Sequence, residues 1–484
     1  MVITGLGAIS PLGWGAEELW NSLTAGRSGI GEVTHLDLAP FRSRVGGAVR
    51  GFQVRKHLSD PKSLKLMTRS VSLGVAAAEA AIADSGWTAG TDDPARVACF
   101  VGSPGHAGER DELLPALTLA WQQGRLDLGI YGEQGIASTN PLWLLKSLAN
   151  IVLYFASLKL GSRGPNANIC MSGAGGVMAV GDAAAEILAG RADLALAGGY
   201  ESLLDEERLE SFERSGLLCL EAGHGPEASR PFDRRRQGFV PGEGAGFVML
   251  EEMQHARARG ARIYAEVLGY AQAAPGRECR PFQAHETPAA FIHAASAALA
   301  EARLSAWQPD AIFAHALGTP AGDRAEAEAL LQLLGARAAY IPITAVKSLT
   351  GNLAAASGPL EIIAAIGCLS PRAMPLPAIA NLDDPDPAGL DYVRHEPRPL
   401  MAAEVSAQLP ALPASSAAAA PALAREAARR ILINSASLTG VAACLVLGEA
   451  REPGAGSWST QAATARPQMQ PMPPPEGQTI RETT

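Results

Sequence analysis

The sequence predicts a doubled α/β fold in which two successive halves build five alternating layers, α/β/α/β/α. Three observations carry this. The chain has 484 residues, more than a single hydrophobic core usually serves. Apolar runs of strand length alternate with segments of helical spacing, a pattern that builds sheets covered by helices. The same rhythm runs twice, so residues 1–255 are expected to form one half and residues 256–450 the other. Hydrophobic residues make up 47% and charged residues 18%, enough for a core and outside the range of disordered chains.

In the first half, Val2 to Ile9 is apolar and glycine-punctuated, the pattern of a buried strand entering a turn at Pro11. Met67, Val71, Val75, Ala78 and Ile82 recur at helical spacing and Gly86 stands where a helix would stop, so Met67 to Ser85 is read as a helix. Val97 to Gly102 (VACFVG) follows as a buried strand. Asn140-Pro141 opens a helical run through Leu160 that holds Trp143, Tyr154 and Phe155. Lys146 and Lys159 interrupt it, which suits core or dimer interface and excludes a membrane span.

Next comes GPNANICMSGAGG, Gly164 to Gly176, leading into the helical pattern Val177 to Leu188. Cys170 sits at this strand-to-helix elbow. The N–H groups of a helix's first turn and its positive dipole end favour a thiolate there. A thiolate is the nucleophile that acyl transfer through a thioester requires. Strands at Leu194 to Gly199 and Phe247 to Glu251 close the half. The run Gly242-Glu243-Gly244-Ala245-Gly246 precedes a strand instead of following one into a helix, so its glycines are read as close backbone packing and not as a dinucleotide loop.

The second half repeats the rhythm. Strands are expected at Ile263 to Leu268, Ala311 to Ala316 and Ile343 to Lys347, and helices at Pro288 to Ala302, Asp323 to Leu334 and Gly358 to Leu369. Two segments stand outside it. Ala402 to Ala427 is Ala/Pro/Ser-rich and reads as a mobile, low-complexity insertion, partly helical near Ala424. Arg451 to Thr484 has too little hydrophobic content to fold and reads as a disordered tail.

The net charge of −9 gives no electrostatic case for nucleic acid or an anionic membrane, although a local basic patch can still receive an acidic partner. Six cysteines (Cys99, Cys170, Cys219, Cys279, Cys368, Cys444) show no C-x-x-C spacing, which argues against a metal site or a disulfide framework. The opening MVITGLGAISPLG lacks the basic and apolar regions of a signal peptide, and no uncharged apolar run reaches ~18 residues. The expectation is a cytoplasmic protein without a membrane span.

Cys170 is followed, in order, by AGGYES (Ala197 to Ser202), RPFDRRRQGFVPGEGAGFVMLEE (Arg230 to Glu252), AHALGTPAGDRAE (Ala314 to Glu326) and AVKSLTGNLAAASG (Ala345 to Gly358). From Met1 to about Glu449 the chain resembles the elongating β-ketoacyl-acyl-carrier-protein synthases of the thiolase-like superfamily. The resemblance implies the thiolase-like fold and a decarboxylative Claisen condensation in fatty acid or polyketide biosynthesis. It implies an acyl carrier protein as partner, whose phosphopantetheine carries the substrates, and no cofactor of the chain's own. It also implies a two-fold dimer, with itself or a related ketosynthase subunit, across Asn166 to Ile169 and flanked by the helix Leu142 to Leu160. By position in the motifs, Cys170 is the nucleophile and His315 the first histidine of the family's Cys-His-His set. Lys347 and Glu326 match the lysine and glutamate that hold each other and the active-site loop, and Thr319 is left to bond the pantetheine arm.

The departures are equally specific. Asn352 stands where the family has its second histidine. An amide can donate to a thioester oxygen but cannot be an imidazolium, and the initiating synthases of the third type use a Cys-His-Asn set. Leu317 replaces the first threonine of the His-Gly-Thr-x-Thr run. The gating loop Asn-Ser-Phe-Gly-Phe-Gly-Gly-Thr-Asn reads NSASLTGVA, Asn434 to Ala442, with Leu438 at the gating phenylalanine's place and Ala442 where an asparagine is expected. Three readings follow: a condensing synthase with a Cys170-His315-Asn352 triad, an acyltransferase that does not elongate, and a non-catalytic partner subunit like the chain-length factors. Cys170 argues against the last, and the precedent for an asparagine donor favours condensation.

Overall fold

The computed structural model describes residues 1–106, 110–220, 225–276, 287–306, 308–371, 373–400 and 428–450. The expected insertion at 402–427, the expected tail at 451–484 and Cys279 lie outside the described residues.

The first half contains β1 (Val2–Ser10), α1 (Arg69–Asp84), β2 (Val97–Gly102), α2 (Trp143–Ser147), α3 (Ile151–Leu160), β3 (Asn166–Ile169), α4 (Ser172–Leu188), β4 (Leu194–Ser202) and β5 (Glu243–Glu251). The second contains β6 (Ala265–Ala273), α5 (Pro288–Glu301), β7 (Ala311–Phe313), α6 (Pro320–Leu334), β8 (Pro342–Thr344), α7 (Ser357–Leu369), β9 (Asp391–Tyr392), β10 (Arg430–Ala436) and β11 (Ala442–Glu449).

The doubling is explicit in the strand pairing. In the first half β1 pairs antiparallel with β5 and β5 antiparallel with β4, then β4 pairs parallel with β2 and β2 parallel with β3. In the second, β6 pairs antiparallel with β11 and β11 antiparallel with β10, then β10 pairs parallel with β7 and β7 parallel with β8. Numbering strands within each half, the first reads 1-5-4-2-3, and the second reads the same once β9, a two-residue edge strand paired parallel with β8, is set aside. Among the described residues the two sheets are continuous with each other through β1 and β6, where Val2 and Ile3 pair with Glu266 and Ala265.

Between the sheets lie α4 and α7, whose apolar faces share one core cluster with both inner sheet faces through Val177, Val180, Leu360, Ile363, Leu250 and Leu445. Outside the first sheet α1 and α3 pack through Val71, Val75, Val152 and Phe247. Outside the second, α5 and α6 pack through Phe291, Ala295, Leu330 and Leu432. The five layers are therefore α1/α3, sheet, α4/α7, sheet, α5/α6. The middle helices approach closely because α4 offers glycine: a Cβ on Gly176 would fall 2.5 Å from Pro359 Cδ of α7.

Two expectations need correction. The helix expected from Asn140 through Leu160 is two helices, α2 and α3, with Leu148 extended between them. Ser147 Oγ donates to the Trp143 carbonyl at 2.7 Å, the side-chain competition that weakens a helix's own ladder. The glycine run at 242–246 does not precede its strand; Glu243 to Gly246 is the first part of β5. Its glycines still serve close packing, since a Cβ on Gly246 would stand 2.9 Å from Pro359 Cβ. Among the described residues no helix is long and apolar enough to cross a membrane.

Candidate active site

The parallel register of β2 and β3 places Gly102 opposite Ile169, so Ser103 N donates to the Ile169 carbonyl at 3.0 Å. The chain leaves β3 at Cys170 and begins α4 two residues later. Cys170 is exposed, whereas Cys99, Cys219, Cys368 and Cys444 are buried. Burial pushes the Cys99 and Cys368 thiols up to about 12 and Cys444 higher still. Asn168 Nδ2 lies 3.3 Å and Ser103 Oγ 3.5 Å from the Cys170 sulfur.

His315 lies two residues beyond β7, and its ring is held by the end of β10. Ala436 N–H donates to His315 Nδ1 at 3.2 Å. A neutral imidazole that accepts at Nδ1 carries its proton on Nε2, so the ring presents an N–H donor on its other edge. The same strand end grips α4, because Ser435 Oγ donates to the Gly173 carbonyl at 2.7 Å. Only glycine fits there: a Cβ on Gly173 would lie 2.2 Å from Ala436 O and 3.3 Å from His315 Cε1. The histidine ring thus stands against the first turn of the helix that follows Cys170.

Asn352 is tied on both sides of its peptide, N–H to the Val240 carbonyl at 2.8 Å and carbonyl from Gly242 N–H at 2.9 Å. Its side-chain oxygen accepts from Ala354 N–H at 3.0 Å, which commits the amide's other end, NH2, to donation. The following turn, Ala354–Ala356, is the segment that meets α4 at Gly176. One non-glycine residue with left-handed backbone lies just after each of the three side chains: Ser172 (φ 43), Ala316 (φ 45) and Ala354 (φ 43). Such conformations cost free energy and persist where surrounding contacts over-determine them, which is common at active sites.

Residues 1–256 match the family profile described as "Beta-ketoacyl synthase, N-terminal domain", and residues 264–382 match "Beta-ketoacyl synthase, C-terminal domain". The chain belongs to the beta-ketoacyl synthase family. It is similar to 3-oxoacyl-[acyl-carrier-protein] synthase 2 of Vibrio cholerae, at 34% identity over 400 residues that cover 82% of this chain and 92% of that protein. Among solved structures it is similar to the ishigamide ketosynthase/chain length factor, with 27% identity and TM-score 0.75 over 93% of this chain and 99% of that one. A third likeness is to the AntDE:AntF complex, described as a type II PKS acyl-carrier protein in complex with its ketosynthase bound to the hexaketide. There the identity is 25% and the TM-score 0.72, again over 93% and 99% of the two chains.

One expectation about this synthase is overturned: Lys347 and Glu326 do not hold each other. Lys347 Nζ pairs with Glu361 Oε1 at 2.6 Å, both buried. Burial raises the Glu361 carboxyl, and the ammonium opposes that rise. Glu326 instead reaches back from α6 and accepts N–H bonds from His315 at 2.8 Å and Ala316 at 2.7 Å, with Asn434 Nδ2 at 3.1 Å. Burial lifts its carboxyl to about 7 against these donors. Glu326 therefore fixes the histidine's backbone, and Lys347 anchors its turn to α7. Lys347→Met leaves Glu361 buried without its cation, and breaking a buried pair from one side costs about 3–5 kcal/mol. The urea midpoint of Lys347→Met should fall accordingly, whereas Lys347→Met/Glu361→Leu together should recover most of the loss; no change in the single variant would refute this pairing.

The remaining expected residues sit further out. Thr319 opens α6, its buried hydroxyl meeting no partner among the described residues. Leu438 packs in the cluster that contains Leu317, Ala354 and Phe239, and its loop touches the residue after Cys170 through Thr439 Oγ1 and Met171 Sδ at 3.8 Å. Glu361, Asn168 and Ser103 are the site residues that the sequence reading lacked. Among the described residues no group of three or more His, Cys, Asp or Glu is arranged to hold a metal ion.

Proposed function

We propose that the protein is an elongating ketosynthase that works with a Cys170-His315-Asn352 set. The acyl chain arrives as a carrier-protein thioester and moves to Cys170 with loss of the pantetheine thiol. A malonyl thioester then binds with its carbonyl oxygen between His315 Nε2–H and Asn352 Nδ2–H. Breaking the bond between its carboxylate and C2 releases carbon dioxide and leaves the electron pair as an enolate, whose negative oxygen the two donors stabilise. The enolate carbon attacks the Cys170 thioester and expels the cysteine sulfur. What carries this reading is the way both side chains spend one end on a backbone N–H, His315 Nδ1 on Ala436 and Asn352 Oδ1 on Ala354. Each side chain is thereby oriented, and the direction of its N–H donor, His315 Nε2–H or Asn352 Nδ2–H, is fixed. Intact-protein mass spectrometry with acyl- and malonyl-carrier proteins tests it, since acylation, decarboxylation and carbon–carbon bond formation each change a different mass.

An acidic acyl carrier protein suits the surface. Between Val49 and Arg69 the only carboxylate is Asp60, while Arg55, Lys56, Lys62 and Lys65 are exposed. This basic segment follows the short strand Val45–Gly47, and Gly47 approaches Thr350, two residues before Asn352. No disulfide joins the described cysteines, which accords with a reducing compartment, and we assign the reaction to the cytoplasm.

The synthase should also be a two-fold dimer, with itself or with a related subunit. Among the described residues β3 is an edge strand with one side unpaired, and on α2 and α3, the helices that lead into it, Leu144, Tyr154 and Leu158 are 64%, 52% and 62% exposed. A bare edge next to apolar side chains is an association surface, and pairing across a two-fold axis is the commonest way to cover one. Light scattering should give a dimer, and a stable monomer with no related subunit co-purifying would refute the arrangement.

A further inference from the structure

We propose that Asn168, oriented by Ser103, donates to the Cys170 sulfur and holds it as the attacking thiolate. The inference rests on Cys170 being the acyl-carrying nucleophile. Strand register creates the pair: Asn168 on β3 lies opposite Val101 on β2, and Ser103 follows β2 as Cys170 follows β3. Asn168 Nδ2 stands 2.9 Å from Ser103 Oγ and 3.3 Å from Cys170 Sγ, with Ser103 Oγ 3.5 Å from that sulfur.

The single hydroxyl proton of Ser103 points to the Pro104 carbonyl at 3.2 Å. Its lone pairs then face Asn168, so the amide must turn its NH2 end inward, with one N–H for Ser103 and one for the sulfur. Asn168 Oδ1 is buried and meets no donor among the described residues. An unpartnered buried carbonyl is a cost that a purely structural side chain would avoid, so the value of this asparagine lies at its NH2 end. The Pro104 carbonyl, 3.7 Å from Cys170 Sγ, is the acceptor for the neutral thiol's proton. Asn168 opposes it, because a donor to the charged form favours that form.

In the loading step the Cys170 thiolate forms its bond to the acyl carbon while the bond to the pantetheine sulfur breaks. The departing pantetheine thiolate takes from solvent one proton, equal to the one that Cys170 gave up. When condensation later expels the Cys170 sulfur as an anion, the same Asn168 N–H receives it.

Iodoacetamide alkylation of Cys170 across pH, followed by peptide mass mapping, tests this in the full chain. In Asn168→Ala the pH midpoint should rise by about one unit, so the rate well below the midpoint falls about tenfold while the high-pH plateau stays. Asn168→Asp, which sets a carboxylate beside the sulfur, should move it further. An unmoved midpoint in both variants, or an equal fall at every pH, would overturn the proposal. Should both variants misfold by circular dichroism, Ser103→Ala removes the hydroxyl that turns the Asn168 amide toward the sulfur and decides alone: a raised midpoint supports the arrangement, an unmoved one refutes it. Alkylation needs neither carrier protein nor malonyl group, so a shifted midpoint in a protein that never condenses would sink the ketosynthase reading and leave this one standing.

Discussion

Cys170→Ala should lose acyl labelling completely, the largest effect expected of any substitution in this protein. The reason is differential, resting on how the thiols compare. Cys99 and Cys368, lifted to about 12 by burial, are ionised at pH 8 in only about one molecule in ten thousand, and an acyl carrier cannot reach them inside the sheets and α7. Cys170 alone among the described cysteines is exposed, on an elbow where the Asn168 N–H faces the sulfur. Intact-protein mass spectra after incubation with an acyl-carrier thioester should show one added acyl group on the wild type and none on Cys170→Ala. Labelling that persisted in the variant would remove the basis of every catalytic reading, condensing or not.

The layers were legible because strand and helix periodicities repeat, and because Met67 to Ser85 or Pro288 to Ala302 carry their apolar faces at regular spacing. Pairing was not. Nothing local in Phe247 to Glu251 tells that β5 inserts between β1 and β4, since register depends on contacts between residues far apart in sequence. The same limit explains the site. Cys170, His315 and Asn352 come from motifs, whereas Asn168 acquires meaning only when β2 and β3 align and bring Ser103 beside it. Glu361 left a usable signal: it is the only charged residue in the thirteen-residue helix SGPLEIIAAIGCL, and a carboxylate buried on all sides needs a cation. The break at Leu148 had a weaker signal, since Ser147 competes with the helix ladder only if its hydroxyl turns back to Trp143.

Asn352→Ala should separate the two halves of the reaction. The Asn352 amide is held by Ala354 N–H on its oxygen side, so its NH2 end is preorganised for an oxygen that becomes negative when carbon dioxide leaves. That interaction strengthens in the transition state for decarboxylation and has no counterpart when Cys170 is loaded. Removing one preorganised donor of this kind costs on the order of 10²–10³ in rate. Loading of Cys170 should therefore stay near wild type while carbon dioxide release and product formation drop by about that factor. Asn352→His should retain or raise both, if the space that the Asn352 side chain fills admits an imidazole. A protein that only transfers acyl groups behaves otherwise: the wild type already releases no carbon dioxide, and Asn352→Ala changes little. Released carbon dioxide and loaded Cys170 are to be measured side by side in the three proteins, with the carrier and any partner subunit present. Loading without decarboxylation in the wild type, across several acyl donors, would refute condensation, because an Asn352 that never meets a developing enolate has no rate to lose.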